Sequence, residues 1–230
     1  VRLVLTENVE DTEPIVEPRG YFEIVRVKNR TPRSFAENHN RAFAHASDQD
    51  GHWFAVLNPD LRWPQPILCR LRGDVLASIA AHCQGPVTVE VRNSRGLVED
   101  HARKWPTWRS LLRKALVNDR GTFEGSELTS REWPIAGWQV WSPDWIAGMF
   151  MLWQSDKFKE LGGFDQSFWL YYEDVDICAR SHMRGWRCAV VRDLYVIHDA
   201  QRRSHRSLRY LLWHLASMFR YLARYRGSLK

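Results

Sequence analysis

The chain has 230 residues, of which 44% are hydrophobic, 13% aromatic and 26% charged. That composition is enough for one sizeable core and excludes wholesale disorder. The net charge of +6 is concentrated at one end, because residues 199–230 hold eight Lys or Arg against the single acid Asp199, leaving the body nearly neutral.

In chain order, Arg2 to Leu5 and Tyr21 to Val27 read as short strands, rich in β-branched and aromatic residues. Ser34 to Ala46 reads as a helix with Ser34 as its N-cap. His52 to Leu57 is a strand that stops at the turn signal Asn58-Pro59-Asp60. Ile67 to Leu71 reads as helical, Val75 to Ala81 as a strand and Trp108 to Val117 as a helix. The polar stretch Gly121 to Trp133 reads as a loop. Trp145 to Trp153 is an apolar strand, followed by a short helix from Asp156 to Leu161. Glu173 to Arg184 is a helix ended by Gly185. Arg187 to Val191 and Tyr195 to Ile197 are strands. Strands alternating with helices indicate an α/β fold around a mostly parallel central sheet flanked by helices.

Ser207 to Arg226 is the clearest helix, with Leu208, Leu211, Leu212, Leu215, Phe219 and Leu222 at helical spacing and arginines among them. Basic charge beside an apolar stripe suits a membrane surface better than nucleic acid. The alternative is that the stripe packs on the body and the arginines are solvated. The apolar runs are too short to span a bilayer, and no signal peptide is visible. The cysteines Cys69, Cys83, Cys178 and Cys188 form no C-x-x-C pair, so zinc-site spacing is absent and a reducing cytosol is the simpler setting. The chain opens at Val1 directly into a strand-like run, and the reading expects further sequence upstream.

Four places carry chemistry. Asn58-Pro59-Asp60 follows an apolar strand, where open α/β sheets bind ligands, and a carboxylate there suits a divalent cation, although the motif is also a common turn. The aromatic run Phe168 to Tyr172 leads into Glu173, Asp174 and Asp176 at a helix start. Acids favour that position for the helix dipole alone, and Asp176 and Arg180 are spaced as an ordinary surface pair. Asp174 lies about 200° round the helix from Asp176, on the side that continues into Ile177 and Cys178. A carboxylate at the rim of that face is a reasonable general base. His198 ends the last strand, where a lone His is usually structural, but with Asp60 it could complete a metal site. Asn8 to Asp11 is a polar loop that could bind the sugar or base of a nucleotide. There is no G-x-G-x-x-G and no Walker loop.

Together these motifs resemble family 2 glycosyltransferases with the GT-A fold, in particular the rhamnosyltransferase-like bacterial branch. The matching runs are Leu5 to Asn8, Ser34 to Asn40, Val56 to Asp60, Gly96 to Glu99, Asp144 to Gly148, and Gly162 through Asp176 to His198. Residues 1–198 therefore form the expected catalytic domain, with 199–230 a basic amphipathic helix. The resemblance implies Asp174 as catalytic base with Glu173 beside it at the donor or acceptor sugar. It implies Asp60 and His198 as metal ligands for Mg²⁺ or Mn²⁺, with Asn58 in the first position of the D-x-D-type motif. It implies Asn8, Asp11, Asn40, Trp145 and Gly148 around the nucleotide and donor sugar.

The expected activity is inverting transfer of a sugar, such as rhamnose, from a nucleoside-diphosphate donor to a glycan or lipid-linked acceptor in bacterial cell-surface polysaccharide synthesis. The setting would be cytoplasmic, on the inner face of the membrane, and a homodimer is left open. The family's opening strand and helix have no counterpart before Val1. The rivals are a sugar-phosphate nucleotidyltransferase, which would want a Gly-rich phosphate loop, and a truncated, non-catalytic nucleotide-sugar-binding module.

Overall fold

The computed structural model describes residues 1–8, 23–46, 52–111, 132–135, 137–199 and 208–229. In chain order the elements are β1 (Arg2–Glu7), β2 (Glu23–Lys28), α1 (Phe35–Ala46), β3 (Trp53–Leu57), α2 (Ile67–Arg70), α3 (Gly73–Cys83), β4 (Gln84–Arg92) and β5 (Ala102–Arg103). They continue with β6 (Glu132–Ile135), β7 (Trp138–Trp141), β8 (Trp145–Ile146), β9 (Phe150–Gln154), α4 (Ser155–Glu160), α5 (Glu173–His182), β10 (Arg187–Ile197) and α6 (Leu208–Arg224). Residues 108–111 begin the helix expected there, and its remainder lies outside the described residues, as does most of the expected loop 121–133.

The central sheet has six strands in the order β3-β9-β4-β10-β7-β6. It is mixed, not mostly parallel as expected: β4 and β10 run parallel, while β3–β9, β4–β9, β10–β7 and β6–β7 pair antiparallel. The parallel β1–β2 pair and the antiparallel β5–β8 pair are separate two-stranded sheets. Alternation along the strands supplies a core on each face of the central sheet. On β9, Met151 and Trp153 enter the core that includes Phe158, Phe164, Phe168 and Ile177. Phe150 and Leu152 enter the opposite core with Ile67, Ile79, Val87 and Val191. This is the layered α/β architecture the sequence implied.

Three expected elements differ. Val75 to Ala81 is part of helix α3, and its buried residues Val75, Leu76, Ile79, Ala80 and Cys83 recur at helical spacing. The expected strand Trp145 to Trp153 is two strands, β8 and β9, parted by the turn through Gly148 and placed in different sheets. The two short strands after Gly185 are one, β10, interrupted by a register shift between Val191 and Tyr195.

Candidate active site

The chain enters α5 through a tight reversal. Tyr171 and Tyr172 both adopt left-handed backbone, at φ 67° and 66°. A residue with a Cβ is strained there by about 1–2 kcal/mol. The reversal sets Glu173 and Asp174 at the positive end of α5, whose first turn is closed by the Asp176 N–H donating to Tyr172 O at 2.8 Å.

Asp174 is half-buried, and both of its oxygens are held by backbone. Gly148 N–H donates to Oδ2 at 3.0 Å and Val175 N–H donates to Oδ1 at 2.9 Å. Burial raises its proton affinity above the usual carboxylate range, and the two N–H groups and the Arg103 charge act against that rise without cancelling it. Gly148 is matched to this contact: a Cβ there would stand 3.2 Å from the Phe35 ring and 3.5 Å from Asp174 Cβ. Glu173 is buried, and its Oε2 has no protein partner. Burial and the adjacent Asp174 charge push its carboxyl well above the usual range, so Glu173 holds its proton more firmly than an ordinary Glu.

Arg103, which the sequence reading did not single out, carries a charge that acts on Asp174. Its guanidinium lies 5.3 Å from the Trp145 ring and is held by the Asp100 carboxylate and by Asp100 O at 3.1 Å. Its charge reaches both Asp174 and Tyr172. The signal available in the sequence was only an acid and a base three residues apart.

Asn58, Asp60 and His198 meet where β3 and β10 end. His198 Nε2 lies 3.3 Å from Asp60 Oδ1 and 3.3 Å from Asn58 Nδ2. His198 is buried, while the Asp60 side chain is 38% exposed. The end of β10 is pinned beside them: His198 N–H donates to Arg92 O at 2.8 Å, and the Asp199 carboxylate takes Ser94 N–H at 2.9 Å. Among the described residues no group of three or more His, Cys, Asp or Glu could hold a metal. One imidazole nitrogen and one open carboxylate nonetheless fit a divalent cation whose other ligands are phosphate oxygens and water. The two halves of the site share one segment: Asn58 N–H donates to Met149 O at 2.9 Å, and Met149 follows the glycine that holds Asp174.

The remaining expected residues take supporting places. Asn8 donates to Arg33 O at 3.0 Å and accepts from Arg33 N–H at 2.8 Å and from Asn29 at 2.9 Å. Asn40 exchanges two hydrogen bonds with the Phe164 backbone, at 2.8 and 2.9 Å. Both amides are thus engaged in holding loops. Trp145 is buried, and its indole N–H donates to Lys104 O at 3.0 Å. Asp11 lies outside the described residues. Asp176 is not the surface partner of Arg180 that spacing suggested. It is fully buried and accepts from Arg180 at 2.8 Å, Arg224 at 2.7 Å and the Tyr225 hydroxyl at 2.8 Å. Helix position alone did not reveal that α6 covers it.

No family model matches the chain. It is similar to the rhamnosyltransferase WbbL of Escherichia coli K12, at 44% identity over 85 residues, covering 36% of this chain and 32% of that protein. It is also similar to the N-acetylglucosaminyl-diphospho-decaprenol L-rhamnosyltransferase of Mycobacterium tuberculosis, at 28% identity over 156 residues, covering 64% of this chain and 46% of that protein. In structure it is similar to GalNAc-T7, solved with UDP, GalNAc and Mn²⁺, with a TM-score of 0.52 and 14% identity over 85% of this chain and 37% of that one. The fold is GT-A, and the sequence is similar to rhamnosyltransferases over part of their length. The chain spans between a third and a half of the length of these curated relatives. The turn Gly148–Met149, which leads into β9, is bonded to Asn58 at the end of β3 and to Asp174 at the start of α5.

Proposed function

We propose that the chain is the catalytic part of an inverting glycosyltransferase that moves a sugar of the rhamnose class from a nucleoside-diphosphate donor to a hydroxyl of a glycan or lipid-linked acceptor. The observation that carries this reading is that the segment Gly148–Met149 bonds both to the raised, backbone-held Asp174 carboxylate and to Asn58, whose side chain meets His198 of the Asp60–His198 pair. Kinship with two rhamnosyltransferases supports it. Asp60 and His198 would hold a divalent cation, which when bound offsets the charge of the departing diphosphate. Asp174 accepts the proton of the acceptor hydroxyl at an oxygen that the Gly148 N–H orients. Displacement from the face opposite the leaving group then inverts the anomeric carbon without a covalent enzyme intermediate. Glu173, holding its proton, serves as a neutral neighbour that leaves Asp174 the single charge of the pair.

The test is a panel of nucleotide sugars with Mg²⁺ or Mn²⁺, read first by melting temperature and then by NMR of the product's anomeric configuration. A donor-specific rise in melting temperature and an inverted product are expected. Retained configuration, or no transfer and no hydrolysis of any donor, overturns the reading.

A lipid-linked acceptor would place the enzyme against the inner face of a membrane, and the outer face of α6 favours this. Leu208, Leu212 and Phe219 are 71%, 57% and 51% exposed, and no acid lies on that helix. No helix among the described residues is long and apolar enough to cross a membrane. Each basic residue near an anionic surface contributes about 1 kcal/mol. The full chain should float with anionic vesicles at low salt, and a variant with Arg202, Arg203, Arg206 and Arg209 changed to Gln should not. Equal flotation of the two proteins rules out a charge-driven attachment.

A further inference from the structure

The inner face of α6 touches the catalytic segment on both sides of its acids. The Ser217 hydroxyl donates to Leu170 O at 2.9 Å. The His214 ring stands edge-on to Tyr171 at 5.2 Å and to Tyr172 at 5.6 Å, and Tyr221 packs on Tyr172 at 5.4 Å. One turn further, Arg224 and Tyr225 bond to Asp176. Residues 170, 171, 172 and 176 bracket Glu173 and Asp174. The bracketed reversal is the one with two consecutive left-handed tyrosines, and such a backbone persists only where its surroundings over-determine it. Asp176 anchors the same helix from below, because Arg180, which shares it, also donates to Leu161 O and Gly163 O.

We propose that α6 is a positioning element for the catalytic carboxylates. Through Ser217, His214 and Tyr221 at the Tyr171–Tyr172 reversal, and through Arg224 and Tyr225 at Asp176, it holds Asp174 at the Gly148 N–H. None of these α6 groups bonds to Asp174 or Glu173 themselves, so they act on the reaction through the backbone that carries it. The part played in the reaction rests on the glycosyltransferase reading; the part played in the geometry does not.

The test uses the full chain carrying Ser217→Ala and Tyr225→Phe, which delete two hydroxyls and little volume. Its kcat should fall about 10- to 100-fold with the donor KM within about twofold, as expected for a displaced reacting group. Unfolding should remain cooperative. A second readout needs no turnover: carboxyl NMR should show the Asp174 titration displaced in the double variant. If kcat and the Asp174 titration both match wild type while the melting temperature falls, α6 is only a structural prop and the proposal is overturned. Should wild type neither transfer nor hydrolyse any nucleotide sugar, the glycosyltransferase reading fails separately, and the titration alone decides the positioning role. Should the double variant fail to fold, Tyr225→Phe alone is judged by the same two measurements.

Discussion

The start of α5 and the rim where β3 and β10 end each present a carboxylate, and the two are built on opposite plans. Asp174 is held at both oxygens by backbone N–H groups, and burial raises its affinity for a proton. Asp60 sits in a turn, is 38% exposed at its side chain, and faces an imidazole. A carboxylate fixed by backbone and partly stripped of water takes up a proton at a defined point. An open carboxylate beside an imidazole suits a cation that keeps room for ligands from the substrate. Two acids of the same chemistry are set apart by what surrounds them, and the proposed reaction gives one the part of base and the other that of metal ligand.

The sharpest way to break that comparison is Asp174→Asn. The amide keeps the volume and an oxygen for one backbone N–H but cannot accept the proton. Transfer should fall by about 10²–10⁴-fold, the range of a positioned general base, with the fold and donor binding retained. Near wild-type turnover would remove Asp174 from the mechanism. Next in size is Asp176→Ala, which tests whether the neighbouring acid is structural. It removes the carboxylate shared by Arg180, Arg224 and Tyr225, leaving Arg180 its bonds to Leu161 O and Gly163 O and Arg224 the Asp165 carboxylate, and should destabilise the protein by about 1–3 kcal/mol, measured by denaturant unfolding. A change below about 0.5 kcal/mol would return Asp176 to the status of a surface residue.

Those two acids also show how far the sequence could be read. The aromatic run into Glu173-Asp174 marked one part of the candidate site locally, and the turn at Asn58-Pro59-Asp60 and the His at the end of a strand marked the other. Asp176 was misplaced because its burial comes from Arg224 and Tyr225, 48 and 49 residues further on, and no local pattern encodes that contact. The mixed sheet was missed for a related reason. β4, the strand that pairs with β10, follows α3 directly and opens on the left-handed Gln84, and Val75 to Ala81 was apolar enough to pass for a strand. The outward-facing leucines of α6 were legible as a stripe. Leu222 of that stripe is buried, but that the helix packs beside it through Ser217, Tyr221 and Tyr225 was not legible, since those residues are polar or amphipathic.

The open rim yields a smaller effect. Asp60→Ala should abolish the enhancement of nucleoside-diphosphate binding by Mg²⁺ while leaving metal-free binding unchanged, as read by calorimetry with and without the ion. An undiminished metal effect would move the cation away from Asp60 and His198 and undo the division of labour between the two carboxylates.

The smallest expected effect concerns Glu173, which belongs to the dry side of the comparison but has one oxygen unpartnered. Burial and the Asp174 charge hold its proton well above the usual range. In the unfolded chain a Glu releases its proton near about 4.3. Between that pH and the higher folded value, the folded state binds more protons than the unfolded one, so stability is full on the acid side and falls as pH rises. Glu173→Gln keeps the shape and removes this titration. The variant and wild type should unfold together near pH 4, and the variant should be more stable by about 1 kcal/mol or more at neutral pH and above. The slope that remains in the variant belongs to Asp174, whose proton affinity is raised in the same direction. Parallel stability curves across the whole range would mean that Glu173 is ionised in the folded protein, and the pair would then be two charges instead of one acid and one base.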